Sequence, residues 1–135
     1  MLELTGELAD GWLGTSFVPE GSATTFESLR AGAPRSNRKL PDLALCQGAA
    51  VAFARDEKEL AAMVDARRSG LAFSLGGMGS ADTNFYNDAY ARQGFAEVAT
   101  ESQRLWLAGD RKAAAQGIPG EMVLAHAARH RVTGR

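Results

Sequence analysis

The chain has 135 residues, 45% hydrophobic and 23% charged, a composition that supports a packed core and excludes intrinsic disorder. Basic and acidic residues number 15 and 16, for a formal net charge of −1, which removes the electrostatic case for nucleic acid or an anionic membrane as the main partner. The single cysteine, Cys46, has no internal partner for a disulfide and, within an apolar run, reads as a small buried hydrophobe.

Met1, Leu4 and Leu8 fall at helical spacing, and Asp10-Gly11 closes the pattern. A pattern that opens on the first residue raises the expectation of a truncated unit. The start has neither the basic residues nor the apolar stretch of a signal peptide, and no run reaches membrane-spanning length, so cytoplasm is the expected compartment.

Gly11 to Thr15 reads as a short strand. Pro19 suits the first position of a following helix, while Thr24 with Glu27 offers a capping box, which leaves two start sites. Phe26, Leu29 and Ala33 supply that helix's apolar stripe, and Gly32 to Lys39 reads as a polar, basic surface connector. Leu43 to Ala54 is nearly all apolar, broken by Gln47 and Gly48. Such a run predicts a strand buried on both faces.

Asp56 with Glu59 marks the next helix start, with Leu60, Met63 and Val64 on its buried face. Helix, strand, helix, strand, helix is the order of parallel βα units. Beyond Gly79 only helices are predicted: Asn84 to Arg92 ending at Gly94, a helix on Phe95, Val98, Ser102 and Leu105 stopped by Gly109, Asp110 to Gln116 ended by Gly117, and Pro119 to about Ala128. Two strands make a marginal sheet with unpaired edges. The expectation is therefore of βα units belonging to a larger parallel sheet.

Two motif groups carry a resemblance. Leu8-Ala9-Asp10-Gly11-Trp12-Leu13 with Pro19-Glu20 is similar to a recurring segment of the luciferase-like monooxygenase superfamily. Gly76-Gly77-Met78-Gly79, Asn84-Phe85-Tyr86-Asn87-Asp88, Leu107-Ala108-Gly109, Ala113-Ala114-Ala115, Pro119 and Glu121 follow in an order that resembles its deazaflavin (coenzyme F420)-dependent oxidoreductase branch. The resemblance implies an α/β chain forming part of a (β/α)8 barrel: about two βα units from the C-terminal half over residues 1–124, with additional C-terminal helices and a divergent basic tail at 125–135. It implies hydride transfer or monooxygenation in the full-length family, with coenzyme F420 or FMN as cofactor, and a chain inactive on its own.

Within that resemblance Thr15 and Ser16 are the candidate cofactor-binding residues. They follow a strand at the end where barrels gather ligand groups, and a Thr-Ser pair there helps hold the cofactor phosphate in the deazaflavin branch. The plain alternative is a Ser/Thr turn before a helix. Other candidates read as structural. Gly76-Gly77-Met78-Gly79 lacks the Lys-Ser/Thr of a phosphate loop and is taken as a helix end that uses positive φ. Phe85, Tyr86 and Tyr90 are taken as packing, and Asp10 as a turn or cap on the stability face. His126 and His130 stand four apart with no third ligand, beside Arg129, Arg131 and Arg135, and read as a solvated helix end. No catalytic or metal residue is assigned. The alternatives to an oxidoreductase fragment are a non-enzymatic half-barrel, self-associating or completed by a complementing half, and a degraded gene product.

Overall fold

The computed structural model describes residues 1–14, 22–48 and 51–125. The chain forms two compact units, Met1–Gly48 and Ala49–Arg135.

The first unit runs α1 (Leu2–Leu8), β1 (Gly11–Gly14), α2 (Ala23–Gly32), short 3-10 turns at Ala33–Ser36 and Leu40–Asp42, and β2 (Ala44–Gln47). The strands are parallel, with Gly11 opposite Ala44, Trp12 opposite Leu45, Leu13 opposite Cys46 and Gly14 opposite Gln47. This is the strand-helix-strand unit expected from the sequence. The start of α2 is set by Ser22, whose carbonyl accepts from the Phe26 N–H at 3.0 Å. Thr24 lies within the first turn and caps nothing, and Pro19 lies outside the described residues. Asn37, in the left-handed region at φ 56°, ends the first 3-10 turn and turns the chain toward β2.

What α1 presents to α2 differs from the expected apolar stripe. Leu4 and Leu8 are exposed, Leu8 at 65%, and the buried residue of α1 is Gly6. A Cβ on Gly6 would stand 2.1 Å from the Leu29 carbonyl oxygen, and one on Gly32 would stand 1.7 Å from the carbonyl oxygen of Glu3. The two helices cross backbone against backbone, each supplying a glycine. Leu29 and Ala33 of the expected stripe on α2 are buried beside this crossing. Arg35 then ties the unit together by pairing with Glu3 and, at 3.5 Å, with Glu7, so it is not an idle member of a basic surface loop.

The expected long strand over Leu43–Ala54 is corrected. Among the described residues of this run only Ala44–Gln47 is strand, all four of these residues are exposed, and 51–54 form no strand. Cys46 is likewise exposed, not buried. The sheet has two strands, a βα unit covers one face of it at most, and in the first unit both faces of β2 stay exposed.

The second unit is helical: α3 (Glu57–Gly76), α4 (Phe85–Tyr90), α5 (Ala96–Leu107), α6 (Arg111–Gln116) and α7 (Gly120–Ala125), with an irregular segment at Ala91–Phe95. Its core is Val64, Ala72, Leu75, Tyr90, Ala99, Ala114, Ile118, Met122 and Val123. Sequence-local caps set most boundaries. Asp56 accepts from the Glu59 N–H at 2.8 Å and Asp110 from the Ala113 N–H at 2.9 Å, satisfying amides that a helix start leaves unbonded. Gly94 and Gly109, the two glycines with positive φ among the described residues, stand where the sequence predicted helix ends.

Candidate functional site at the carboxyl end of the strands

Because β1 and β2 run the same way, their last residues Gly14 and Gln47 sit opposite each other at one end of the sheet. Alternation along each strand puts Trp12, Gly14, Leu45 and Gln47 on one face and Leu13 and Cys46 on the other. Trp12 folds along its face so closely that a Cβ on Gly14 would meet the indole at 2.6 Å. Phe26 of α2 meets the same indole edge-on, with ring centroids 6.4 Å apart and planes at 79°. The covered face therefore ends in an aromatic pair, and the other face is open, with Leu13 67% exposed.

Thr15 and Ser16 follow Gly14 directly in sequence and lie outside the described residues. Gly48 follows Gln47, and a Cβ there would have open space around it. Gln47 and Gly48 were not singled out from the sequence, although a polar residue and a glycine closing an apolar run are the signal of a strand end that needs backbone access. Asp10 lies at the opposite end, where its carbonyl accepts from the Ala44 N–H at 3.0 Å and starts the ladder. It is a structural residue, as the sequence suggested.

The remaining candidates resolve into packing. In Gly76-Gly77-Met78-Gly79 no glycine has positive φ, so the expected reason for the cluster is corrected. The missing side chains make room: a Cβ on Gly76 would meet Trp106 at 2.3 Å, one on Gly77 would meet Phe73 at 2.7 Å, and one on Gly79 would meet the Thr83 carbonyl oxygen at 2.4 Å. The gaps a phosphate would enter are filled by the protein. Tyr90 is in the core, Tyr86 is half-buried, and Phe85 is exposed and not packed as expected.

The Asn84 to Asp88 motif is structural in a way the sequence did not reveal. The Asn84 side-chain oxygen accepts from the Tyr86 and Asn87 N–H groups, both at 3.1 Å, and caps α4. Its amide donates to the carbonyls of Leu75 at 2.8 Å and Ser74 at 3.3 Å, which the end of α3 leaves without helical partners. Asn87 donates to Leu75 at 2.9 Å and to Ala99 at 2.7 Å.

Several surface charges among the described residues are paired locally. Hydrogen bonds from Arg55 hold the Glu59 carboxyl below the ordinary glutamate range, and those from Arg104 do the same for Glu101. The bond to Glu3 pushes the Arg35 guanidinium further up. Among the described residues no three His, Cys, Asp or Glu side chains are grouped to hold a metal, and no helix is long and apolar enough to cross a membrane. His126 and His130 lie outside the described residues.

The luciferase-like monooxygenase family model matches residues 1–134. A protein of Mycobacterium tuberculosis (strain ATCC 25618 / H37Rv) named as a coenzyme F420-dependent oxidoreductase is 34% identical over 122 residues, which cover 89% of this chain and 34% of that protein. The chain thus spans about a third of the length of the curated relative it matches. No solved structure matches the chain significantly. With a parallel strand-helix-strand unit, the glycine and asparagine motifs in order, and a family model matching nearly every residue, the chain belongs to the luciferase-like monooxygenase family.

Proposed function

We propose that the chain supplies two neighbouring βα units of a (β/α)8 barrel from the C-terminal half of an F420- or FMN-dependent oxidoreductase, and that its part is to hold the cofactor phosphate. The observation that carries this reading is the parallel pair β1 and β2 with one face closed by Trp12 and Phe26 and the other open at Leu13 and Cys46. A barrel has helices outside and packed strands inside, so a βα pair removed from one shows this one-sided cover.

Thr15 and Ser16 would hold the phosphate. They come directly after β1, where hydroxyls and backbone N–H groups can surround an oxyanion. Gly48 leaves the neighbouring strand end free of a side chain, which fits close approach of a ligand to the backbone. When bound, F420 or FMN supplies the hydride chemistry; the described residues offer the strand ends and no group suited to the reacting ring. Transfer needs donor and acceptor fixed at near contact, and the 135 residues alone are expected to give no turnover. The experiment is a cofactor titration with a turnover assay on the purified chain. Cofactor phosphate binding weakened by Thr15→Ala and Ser16→Ala, without turnover, supports the proposal. Hydride transfer by the chain alone, with host enzyme excluded, overturns it.

A second reading is favoured by the open face: a half-barrel that associates with another copy of itself or with a complementing half. Exposed Leu13 and Cys46 beside unpaired strand edges are the surface such a partner would cover.

A further inference from the structure

The second unit carries an open groove of about 680 Å³ between α3 and α6, lined by Asp65, Arg68, Ser69, Arg111, Lys112, Ala115 and Gln116. The volume lies within the range of small-molecule sites, roughly 300–1,000 Å³. Three cations and one carboxylate line it, although the whole chain is nearly neutral.

The polar groups of this groove have unused bonding capacity. Asp65 accepts from the Arg68 Nε at 2.9 Å, and this leaves both Nη groups of Arg68 without an acceptor among the described residues. Arg68 is nevertheless the more enclosed of the two, with its side chain 24% exposed against 71% for Asp65. Its guanidinium is laid over the start of α7, its Nη2 lying 3.9 Å from where a Cβ on Gly120 would stand. Arg111 rests its guanidinium 5.1 Å from the centre of the Trp106 ring and makes no ion pair among the described residues. Lys112 makes no ion pair among the described residues. Both Arg111 and Lys112 stand in the first turn of α6, the end of a helix where positive charge is disfavoured. Trp106 accounts for Arg111 there; nothing in the fold accounts for Lys112.

We infer that this groove binds a multiply charged oxyanion of a small molecule, held by the forks of Arg68 and Arg111 and by the Lys112 ammonium. Guanidinium forks match the paired oxygens of phosphate and carboxylate groups, and two forks with an ammonium oppose more than one negative charge. The proposal is independent of the strand end discussed above, since no residue of that end lines the groove.

The test is an NMR titration of the 15N-labelled chain with pyrophosphate and, separately, citrate, against sodium chloride at matched ionic strength. Saturable shifts are expected at the backbone amides of Ser69, Arg111, Lys112 and Gln116 and at the Trp106 indole N–H. Response to pyrophosphate alone assigns a phosphate ligand, response to citrate alone a carboxylate ligand, and response to both the shared chemistry. Lys112→Glu should weaken binding about tenfold or more, and Asp65→Asn, which removes the only carboxylate of the lining, should tighten it. Both sites are exposed, so the fold is expected to survive, with unchanged amide spectra elsewhere as the check. Shifts that chloride reproduces, or an Asp65→Asn chain that binds no tighter, would overturn the proposal and leave an ordinary solvated patch.

Discussion

Asn84 and Asn87 converge on one acceptor: both side-chain amides donate to the Leu75 carbonyl oxygen, at 2.8 and 2.9 Å. The end of a 20-residue helix is thereby closed by the start of the next one, with Asn84 serving both termini. Asn84→Ala removes the α4 cap and the donor to the half-buried Ser74 carbonyl, while Asn87 still serves Leu75, a loss of about 2–3 kcal/mol in sum. Asn87→Ala should cost less, about 1–2 kcal/mol, because Asn84 still serves Leu75. Urea unfolding at unchanged m-value checks the order.

The space around each glycine predicts opposite outcomes for two glycine-to-alanine changes, one at the crossing of α1 and α2 and one in α3. At Gly32 the new Cβ would meet the Glu3 carbonyl oxygen at 1.7 Å, and backbone cannot swing aside as a side chain can. Gly32→Ala should cost at least about 2 kcal/mol, at the upper end of overpacking penalties, or unfold the first unit. Gly70, inside α3, has open space where its Cβ would go. Gly70→Ala should stabilise the chain by about 0.5–1 kcal/mol through helix propensity. Thermal unfolding of the two variants beside the parent reads both signs.

Glu59 and Glu101 give the acid limb of stability a definite direction. Each carboxyl is held below the ordinary range in the folded chain by its arginine. The stabilisation they contribute is therefore present above the unfolded value, about 4.3, and is lost as pH falls through the lowered folded values. Side-chain carbon NMR should show both titrating below the ordinary glutamate range. High salt should move them back toward the ordinary value, since these pairs are solvent-exposed.

The open face of the sheet predicts association. Sedimentation velocity over a concentration series should show species larger than the monomer, and Leu13→Lys should shift the distribution toward monomer. A monodisperse parent chain would mean that the face is covered within one molecule.

The sequence made legible what is governed locally. Asp56, Asp110, Gly94 and Gly109 mark helix boundaries by residue chemistry alone, and the structure puts boundaries at each of them. Apolar periodicity identified the strand-helix-strand unit for the same reason. It failed where the answer depends on what lies opposite. Met1, Leu4 and Leu8 form a stripe, yet α2 meets Gly6, because the absence of a side chain carries no hydrophobic signal. The Leu43–Ala54 run looked like a doubly buried strand, but burial requires neighbours that the described residues do not provide. Asn84 and Asn87 could be recognised as a motif but not as a lock, since their acceptors lie 9 to 12 residues away. At the candidate site the sequence named Thr15 and Ser16 and passed over Gln47 and Gly48, which reach the same end of the sheet only through strand register.

The helices of the second unit are unequal: α3 has 20 residues and α5 has 12, while α4 and α6 have six each. Six residues are too few for a helix to persist by itself in water. The short helices exist only while the long ones hold them, through Leu75, Ala99 and Ala114 at the shared core. Opening of α3 must then release all of them at once, whereas a short helix can fray alone. Amide protons of α3 and α5 should accordingly exchange with solvent only through global unfolding, and those of α4 and α6 through smaller openings. The second unit thus has its slowest-exchanging backbone in two helices, and its local motions are confined to the pieces laid against them.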